Sequence, residues 1–149
     1  MDIDEILENF ELLDDWEDRY RYVIELGRML EPLPEASHSD ANKVRGCASQ
    51  VWLESELRDG AEHDPRLEFR GDSDAHIVRG LIAIMIALYS GRRSSEILAT
   101  DAKPILQRMG LAEHLTPQRS NGLAAMVARI KADAEAARAG GAALSARSA

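Results

Sequence analysis

Cys47 is the single cysteine of this 149-residue chain and its clearest candidate for covalent chemistry. Gly46 precedes it, and glycine permits a sharp turn and close approach by another molecule. Lys43 and Arg45 add positive charge that favours the thiolate, the nucleophilic form of cysteine. The polar segment around Cys47 therefore predicts a loop with a reactive thiol of lowered pKa. The alternative is that Cys47 is a small buried hydrophobic side chain.

Metal and cluster chemistry have little support in the sequence. One cysteine can neither form a disulfide within the chain nor, in one copy, supply the ligands of a thiolate-rich zinc or iron–sulfur site. The four histidines lack the short spacings of metal ligands; they lie at His38, His63, His76 and His114. We therefore predict no metal site. His114 could act as a base for Cys47, but no pattern in the sequence brings the two together.

Charge and composition exclude several functional classes. The chain has 18 Lys and Arg against 26 Asp and Glu, a formal charge of −8, which disfavours binding to nucleic acid. Its longest apolar run, residues 81–89, is far shorter than the about 20 residues of a membrane span. The acidic first residues are unlike a targeting segment. We expect a soluble, cytoplasmic protein without a membrane or nucleic-acid partner.

The first half of the sequence predicts two helices followed by two strands. Apolar residues recur at helical spacing in 3–13 and 16–27, until Pro32 and Pro34 end the second helix. The polar stretch 35–46 predicts a loop. Residues 50–57 and 66–70 then alternate between apolar and polar types, which is typical of half-buried strands, and a short third strand would fit beside them. Asp59-Gly60 predicts a turn.

The second half predicts helices only. Residues 75–89 are apolar around most of the circumference, so they predict a central buried helix that Ser73 or Asp74 caps. Short helices are expected from Ser94 or Ser95 and around Pro104, and a long one from Thr116-Pro117. Together the elements predict one α+β domain over 1–138, with an antiparallel sheet of about three strands covered by helices on one face. Residues 139–149 are predicted to form a flexible Ala/Gly/Ser tail.

Motifs along most of the chain resemble the SufE family, whose members accept sulfur from a cysteine desulfurase during iron–sulfur cluster assembly. The most specific is the cysteine segment Val44-Arg-Gly-Cys-Ala-Ser-Gln-Val-Trp52. The others are 22–28, 33–35, 73–75, 77–82, 96–98 and 114–123. Family members often carry Gln where this chain has Ala48, a departure that leaves the sulfur atom itself untouched.

The resemblance implies a persulfide relay with a SufE/NifU-like fold. A pyridoxal-phosphate desulfurase, SufS-like or a paralogue, would pass its persulfide sulfur to Cys47, and the sulfur would move on to an iron–sulfur scaffold complex. The chain would stimulate the desulfurase, bind no cofactor itself and show no independent turnover. Relatives also suggest a homodimer. The alternatives are an iron–sulfur scaffold of NifU type and an independent thiol enzyme.

The resemblance also implies residues that support the cysteine loop. Arg119 matches a position near the loop, where its charge would favour thiolate or persulfide; the alternative is a surface arginine. Asp74 matches a position that touches the loop, although we favour its role as helix cap. Gly46 is a candidate hinge. Asn121 precedes Gly122 inside a helical pattern, which indicates either close packing against the loop or a kink.

Two residues are candidates for partner docking. Arg45 lies beside the cysteine in the predicted loop. Trp52 alternates out of phase with Val51 and Leu53, so its side chain faces the other side of the predicted sheet. The pattern leaves open whether that side is core or an exposed docking surface.

Overall fold

The computed structural model describes residues 2–58 and 63–139 and shows an α+β arrangement. One 3₁₀ turn, Glu35–Ser37, lies between the second helix and the first strand. In chain order the elements are α1 Ile3–Glu11, α2 Trp16–Arg28, β1 Val51–Leu57, β2 Arg66–Ser73, α3 His76–Tyr89, β3 Arg92–Arg93, α4 Ser94–Ala99, α5 Lys103–Arg108, α6 Leu111–His114 and α7 Pro117–Ala139.

The sheet is antiparallel with strand order β1-β2-β3, and this confirms the predicted fold class. Its inner face buries Val51, Leu53, Leu67 and Phe69 under helices α3 and α7. The expectation that only helices follow the second strand is wrong, because β3 follows α3. A two-residue strand is too short to leave an alternating pattern, and it exists through pairing with the start of β2.

Helix α3 is the central element of the core, as its apolar circumference predicted. It packs closely on α2 through Gly80, where an added Cβ would lie 2.0 Å from the Val23 carbonyl oxygen. The predicted cap is wrong: Ala75 occupies the N-cap position without a side-chain cap. Ser73 accepts a hydrogen bond from the Ala75 amide instead, at 3.2 Å, and Asp74 makes a contact elsewhere.

The remaining helices largely follow the sequence pattern. Asp15 caps α2 by accepting from the Glu17 amide, and α7 begins at Pro117 as predicted. The four-residue helix α6 was not predicted. The predicted Asp59-Gly60 turn and residues 140–149 of the predicted tail lie outside the described residues. No helix within 2–58 and 63–139 is both long and apolar enough to cross a membrane.

Candidate functional site

Cys47 lies in the loop that immediately precedes β1, an edge strand of the sheet. We call residues 45–50 the Cys47 loop. The residues before it pair with the start of β1: the Val44 amide donates to the Val51 carbonyl at 2.8 Å, and Lys43 forms a bridge with Trp52. The loop is therefore a hairpin-like excursion with a hydrogen-bonded stem, so both of its ends are held in place.

The Cys47 thiol is half-buried against helix α7. Its Sγ atom donates to the Gly122 carbonyl oxygen at 3.6 Å. A Cβ added to Gly122 would lie 3.6 Å from Sγ, an ordinary van der Waals contact, so the sulfur packs directly against this part of α7. The thiol also borders a cavity of about 20 Å³ whose apolar walls include Val78, Leu81 and Met126. A cavity of this size accommodates about one water-sized atom.

Burial raises the pKa of the Cys47 thiol above its ordinary value. A thiolate in this niche loses hydration, which disfavours the charged form. The sequence predicted that three cations would lower this pKa, namely Lys43, Arg45 and Arg119. For this arrangement that prediction is wrong, because burial shifts the pKa in the opposite direction. In this conformation burial favours the neutral thiol over the nucleophilic thiolate.

Asp74 joins the end of the Cys47 loop to the start of α3. Its Oδ1 accepts a hydrogen bond from the Gln50 amide at 3.0 Å. In return, the Asp74 amide donates to the Gln50 carbonyl at 3.4 Å. The carboxylate is thus occupied with the loop, which explains why it does not cap the helix.

The structure brings Arg119 to the cysteine but not Asn121. Arg119 is half-buried and lines the same cavity as Cys47. Asn121 is exposed, and the cavity lining does not include it. Gly46 has φ of +94°, a value that side chains rarely adopt, so its freedom is needed for the turn into the cysteine.

Trp52 lies on the outer face of the sheet, away from the helices. It is half-buried because the ring of His38 packs edge-on against it, with 4.7 Å between ring centroids. Arg45 is exposed in the Cys47 loop. His114 stacks on Trp16 at 4.2 Å and does not line the cysteine cavity, so the structure does not pair it with Cys47 as a base.

Two charged networks near the loop were not predicted from the sequence. Arg129 and Asp133 of α7 link the stem of the loop to strand β1. On the outer face, Asp72 contacts His38 at 2.8 Å and Arg79 at 3.2 Å. The Arg129–Asp133 spacing of four residues was the only available signal, and it is equally typical of a solvent-exposed helical pair. Within the described residues, no group of three or more His, Cys, Asp and Glu side chains could hold a metal ion.

Comparisons with known proteins agree on a family. A family model described as "SufE: Fe-S metabolism associated domain" matches residues 4–134. A SufE-like protein of Rhizobium meliloti is 57% identical over 133 residues, which are 89% of this chain and 94% of that protein. Its counterpart in Rhizobium etli is 56% identical over 133 residues, 89% of each. Both relatives bear the description "Uncharacterized SufE-like protein".

A solved structure supports the same fold. The solution structure of a hypothetical protein from Thermus thermophilus superposes with a TM-score of 0.71. The alignment covers 91% of this chain and 94% of that one at 20% identity. At this identity the likeness establishes the arrangement of helices and strands.

Proposed function

The chain belongs to the SufE family, as its motifs predicted, and we propose that it accepts and carries sulfur on Cys47. The SufE domain is associated with Fe–S metabolism. The sulfur donor in this proposal is a pyridoxal-phosphate cysteine desulfurase, which the chain stimulates by removing its persulfide. The recipient is an iron–sulfur scaffold. A thiol that must stay reduced suits the cytoplasm.

The observation that carries this proposal is the position of the sulfur atom. Cys47 is half-buried in the Cys47 loop, against α7, and borders a cavity with room for about one more atom. A terminal persulfide sulfur adds one atom to the thiol, so this site has the size to shelter it from water. The chain has no second cysteine to attack the persulfide and release its sulfur as sulfide.

The transfer is an exchange between a thiolate and a persulfide. The Cys47 thiolate attacks the terminal sulfur of the donor persulfide, and the new S–S bond forms on Cys47. The donor's own S–S bond breaks, and its cysteine leaves as a thiolate. Cys47 then carries the terminal S–H. No oxidant or reductant is needed, because one thiolate replaces another. The same exchange, with an acceptor thiolate, unloads the chain.

Because burial raises the pKa of Cys47, docking activates the thiol in this proposal. Movement of the Cys47 loop away from Gly122 would rehydrate the sulfur and remove the cause of the shift. In this proposal Gly46 is the hinge, and Asp74 and Arg119 hold the resting loop. Arg45, exposed beside the thiol, contacts the desulfurase, and Trp52 borders that contact from the outer face of the sheet.

Mass spectrometry of the intact protein tests the assignment. After incubation with a cysteine desulfurase, pyridoxal phosphate and cysteine, we expect one added sulfur atom that a reductant removes. The Cys47→Ser variant should gain none. A Cys47→Ser/Ser49→Cys variant keeps one thiol but moves it by two residues, and we expect its loading to slow by about 100-fold, because transfer depends on geometry.

Three outcomes would overturn the proposal. Equal loading of the relocated thiol would show that the position of the cysteine within the Cys47 loop does not matter. Stimulation of the desulfurase by the Cys47→Ser variant to the full extent would show that the sulfur acceptor is not Cys47. A chain that assembled a cluster from iron and sulfide without loading Cys47 would instead be a scaffold.

A further inference from the structure

Arg129 of helix α7 holds the segment that leads into the Cys47 loop. Its Nη2 donates to the Ala41 carbonyl at 2.8 Å, and its Nη1 lies within hydrogen-bonding distance of the Lys43 carbonyl at 3.4 Å. Lys43 lies in the stem of the loop, four residues before Cys47. One side chain from α7 therefore contacts two main-chain carbonyls in the segment that precedes Cys47.

Asp133 fixes the orientation of the Arg129 guanidinium. Its Oδ1 accepts from Arg129 Nε at 3.2 Å, and its Oδ2 accepts from the Ser55 hydroxyl of β1 at 2.9 Å. Asp133 is fully buried, and the Arg129 side chain is 17% exposed. The Arg129–Asp133 ion pair thus connects α7 to both β1 and the loop stem.

A buried ion pair is a weak source of stability, because desolvation of both charges offsets their attraction. Well-packed apolar side chains would fill the same space at little cost. Arginine is distinctive here because its fork of donors can engage a carboxylate and two carbonyls at once, which lysine cannot match. The arrangement is therefore better explained by control of the loop than by stability of the fold.

We infer that Arg129 is a positioning residue that clamps residues 41–43 and so keeps the Cys47 sulfur in its niche against α7. This inference rests on the proposed function for its biological meaning: the clamp sets how readily the loop leaves the niche to exchange sulfur. Its physical content, the accessibility of Cys47, stands without any partner protein.

The first test compares Arg129→Lys with a matched control, Arg108→Lys. Arg108 makes an exposed ion pair with Glu11 at 2.9 Å, and its substitution changes the same chemistry away from the loop. We expect iodoacetamide to alkylate Cys47 about fivefold faster in Arg129→Lys at neutral pH, as the loss of one or two hydrogen bonds predicts. The control should alkylate at the unaltered rate.

The pH profile of alkylation distinguishes positioning from a merely structural effect. If the clamp keeps Cys47 buried, its loss should shift the midpoint of the alkylation profile towards that of a free thiol in protein that the urea midpoint shows to be still folded. A lowered urea midpoint with an unchanged alkylation profile would overturn the inference.

A second variant covers the case in which Arg129→Lys leaves Asp133 poorly paired and the protein unfolds. Arg129→Met/Asp133→Leu removes both charges, so no buried charge is left alone. We expect this variant to fold and to show the faster alkylation; a folded variant with the alkylation profile of the unaltered protein would overturn the inference. Because alkylation needs no desulfurase, failure of sulfur loading on Cys47 would refute the proposed function separately.

Discussion

Two sides of the molecule hold the Cys47 loop in different ways. The α7 side consists of Gly122, Ala125 and Arg129, which meet the loop and its stem through close packing and main-chain carbonyls. The carboxylate side consists of Asp72 and Asp74, at the end of β2 and the start of α3. Through exposed or half-buried oxygen atoms it contacts His38, before the loop, and Gln50, the last residue of the loop.

The two sides should differ in how much they control the sulfur. Gly122 and Ala125 on the α7 side pack against Cys47 and Gly46, so a change of shape there alters the burial of the thiol directly. An exposed hydrogen bond on the carboxylate side can be replaced by one to water, which limits its net contribution to about 1 kcal/mol. We therefore expect substitutions on the α7 side to change Cys47 reactivity more than substitutions on the carboxylate side.

The largest effect is expected from Gly122→Leu on the α7 side. Leucine favours the helix, but its side chain extends beyond the Cβ position that already lies 3.6 Å from Cys47 Sγ. The cavity of about 20 Å³ cannot contain it, so the sulfur must leave the niche. We expect the thiol pKa to fall towards its ordinary value. Each unit of that fall raises alkylation near neutral pH about tenfold, measured with iodoacetamide.

Gly122→Ala is the matched control for that change. Its added Cβ would make ordinary van der Waals contacts with Cys47. Alanine in place of a helical glycine should raise the free energy of unfolding by about 0.5–1 kcal/mol without releasing the thiol. If leucine and alanine gave the same alkylation rate, the α7 side would not control the sulfur by shape.

The second effect concerns Gly46 in the loop itself. Gly46→Ala places a side chain at φ of +94°, where steric strain costs about 1–2 kcal/mol. The new Cβ would meet Ala125 at 3.5 Å, an ordinary contact, so the expected change is one of backbone conformation. We expect a lower urea midpoint and faster alkylation of Cys47.

Gly91→Ala separates strain in the loop from strain elsewhere. Gly91 has φ of +81°, and a Cβ there would have nothing within 4 Å. Its replacement should therefore destabilise the fold by a similar amount and leave Cys47 alkylation unchanged. Equal acceleration in both variants would mean that the thiol responds to global stability and that Gly46 is not a hinge.

The contrast between the two sides also explains what the sequence could predict. Local patterns identified the cysteine loop, the strand alternation and the apolar helix α3, because each is encoded within about 15 neighbouring residues. The residues of the α7 side lie about 75–90 positions after the loop segment they contact. The sequence could not identify the Arg129–Asp133 pair as buried, because its four-residue spacing is equally typical of an exposed pair and burial is a tertiary property.

The errors have the same physical origin. Lys43 and Arg45 suggested a lowered thiol pKa from proximity in sequence, but burial against Gly122 acts in the opposite direction. Asp74 resembled a helix cap because it precedes α3, but its carboxylate accepts a hydrogen bond from the Gln50 amide instead. In both cases a long-range contact overrode a local preference.

A smaller effect is expected on the carboxylate side from Asp74→Ala. It removes the acceptor for the Gln50 amide, which is exposed and can bind water instead. We expect a loss of about 1 kcal/mol or less in the free energy of unfolding, and at most a fewfold increase in alkylation. Asp74→Asn retains an oxygen acceptor, so its stability and alkylation rate should lie between those of the unaltered protein and Asp74→Ala. Acceleration as large as that of Gly122→Leu would reverse the ranking of the two sides.

The smallest effect is expected from protonation of His38 at Asp72. The side-chain hydrogen bond to Asp72 raises the pKa of His38 above its ordinary value of 6.5. The contribution of this pair to stability is therefore fully present below pH 6.5 and is lost as the pH rises through the higher pKa of the folded protein. The urea midpoint of the unaltered protein should accordingly decline across that interval relative to His38→Gln, which does not titrate.

Cys47 alkylation measured on the same two proteins connects this pair to the loop. His38 precedes the loop stem and packs on Trp52, so the pair anchors the approach to the loop but touches no part of the thiol niche. We expect the urea midpoint to respond to the pair while alkylation, corrected for the thiolate fraction, stays the same in both proteins. If the corrected alkylation rate were faster in His38→Gln only below pH 6.5, the charged His38–Asp72 pair would affect the reactivity of Cys47. The carboxylate side would then control the sulfur as the α7 side does.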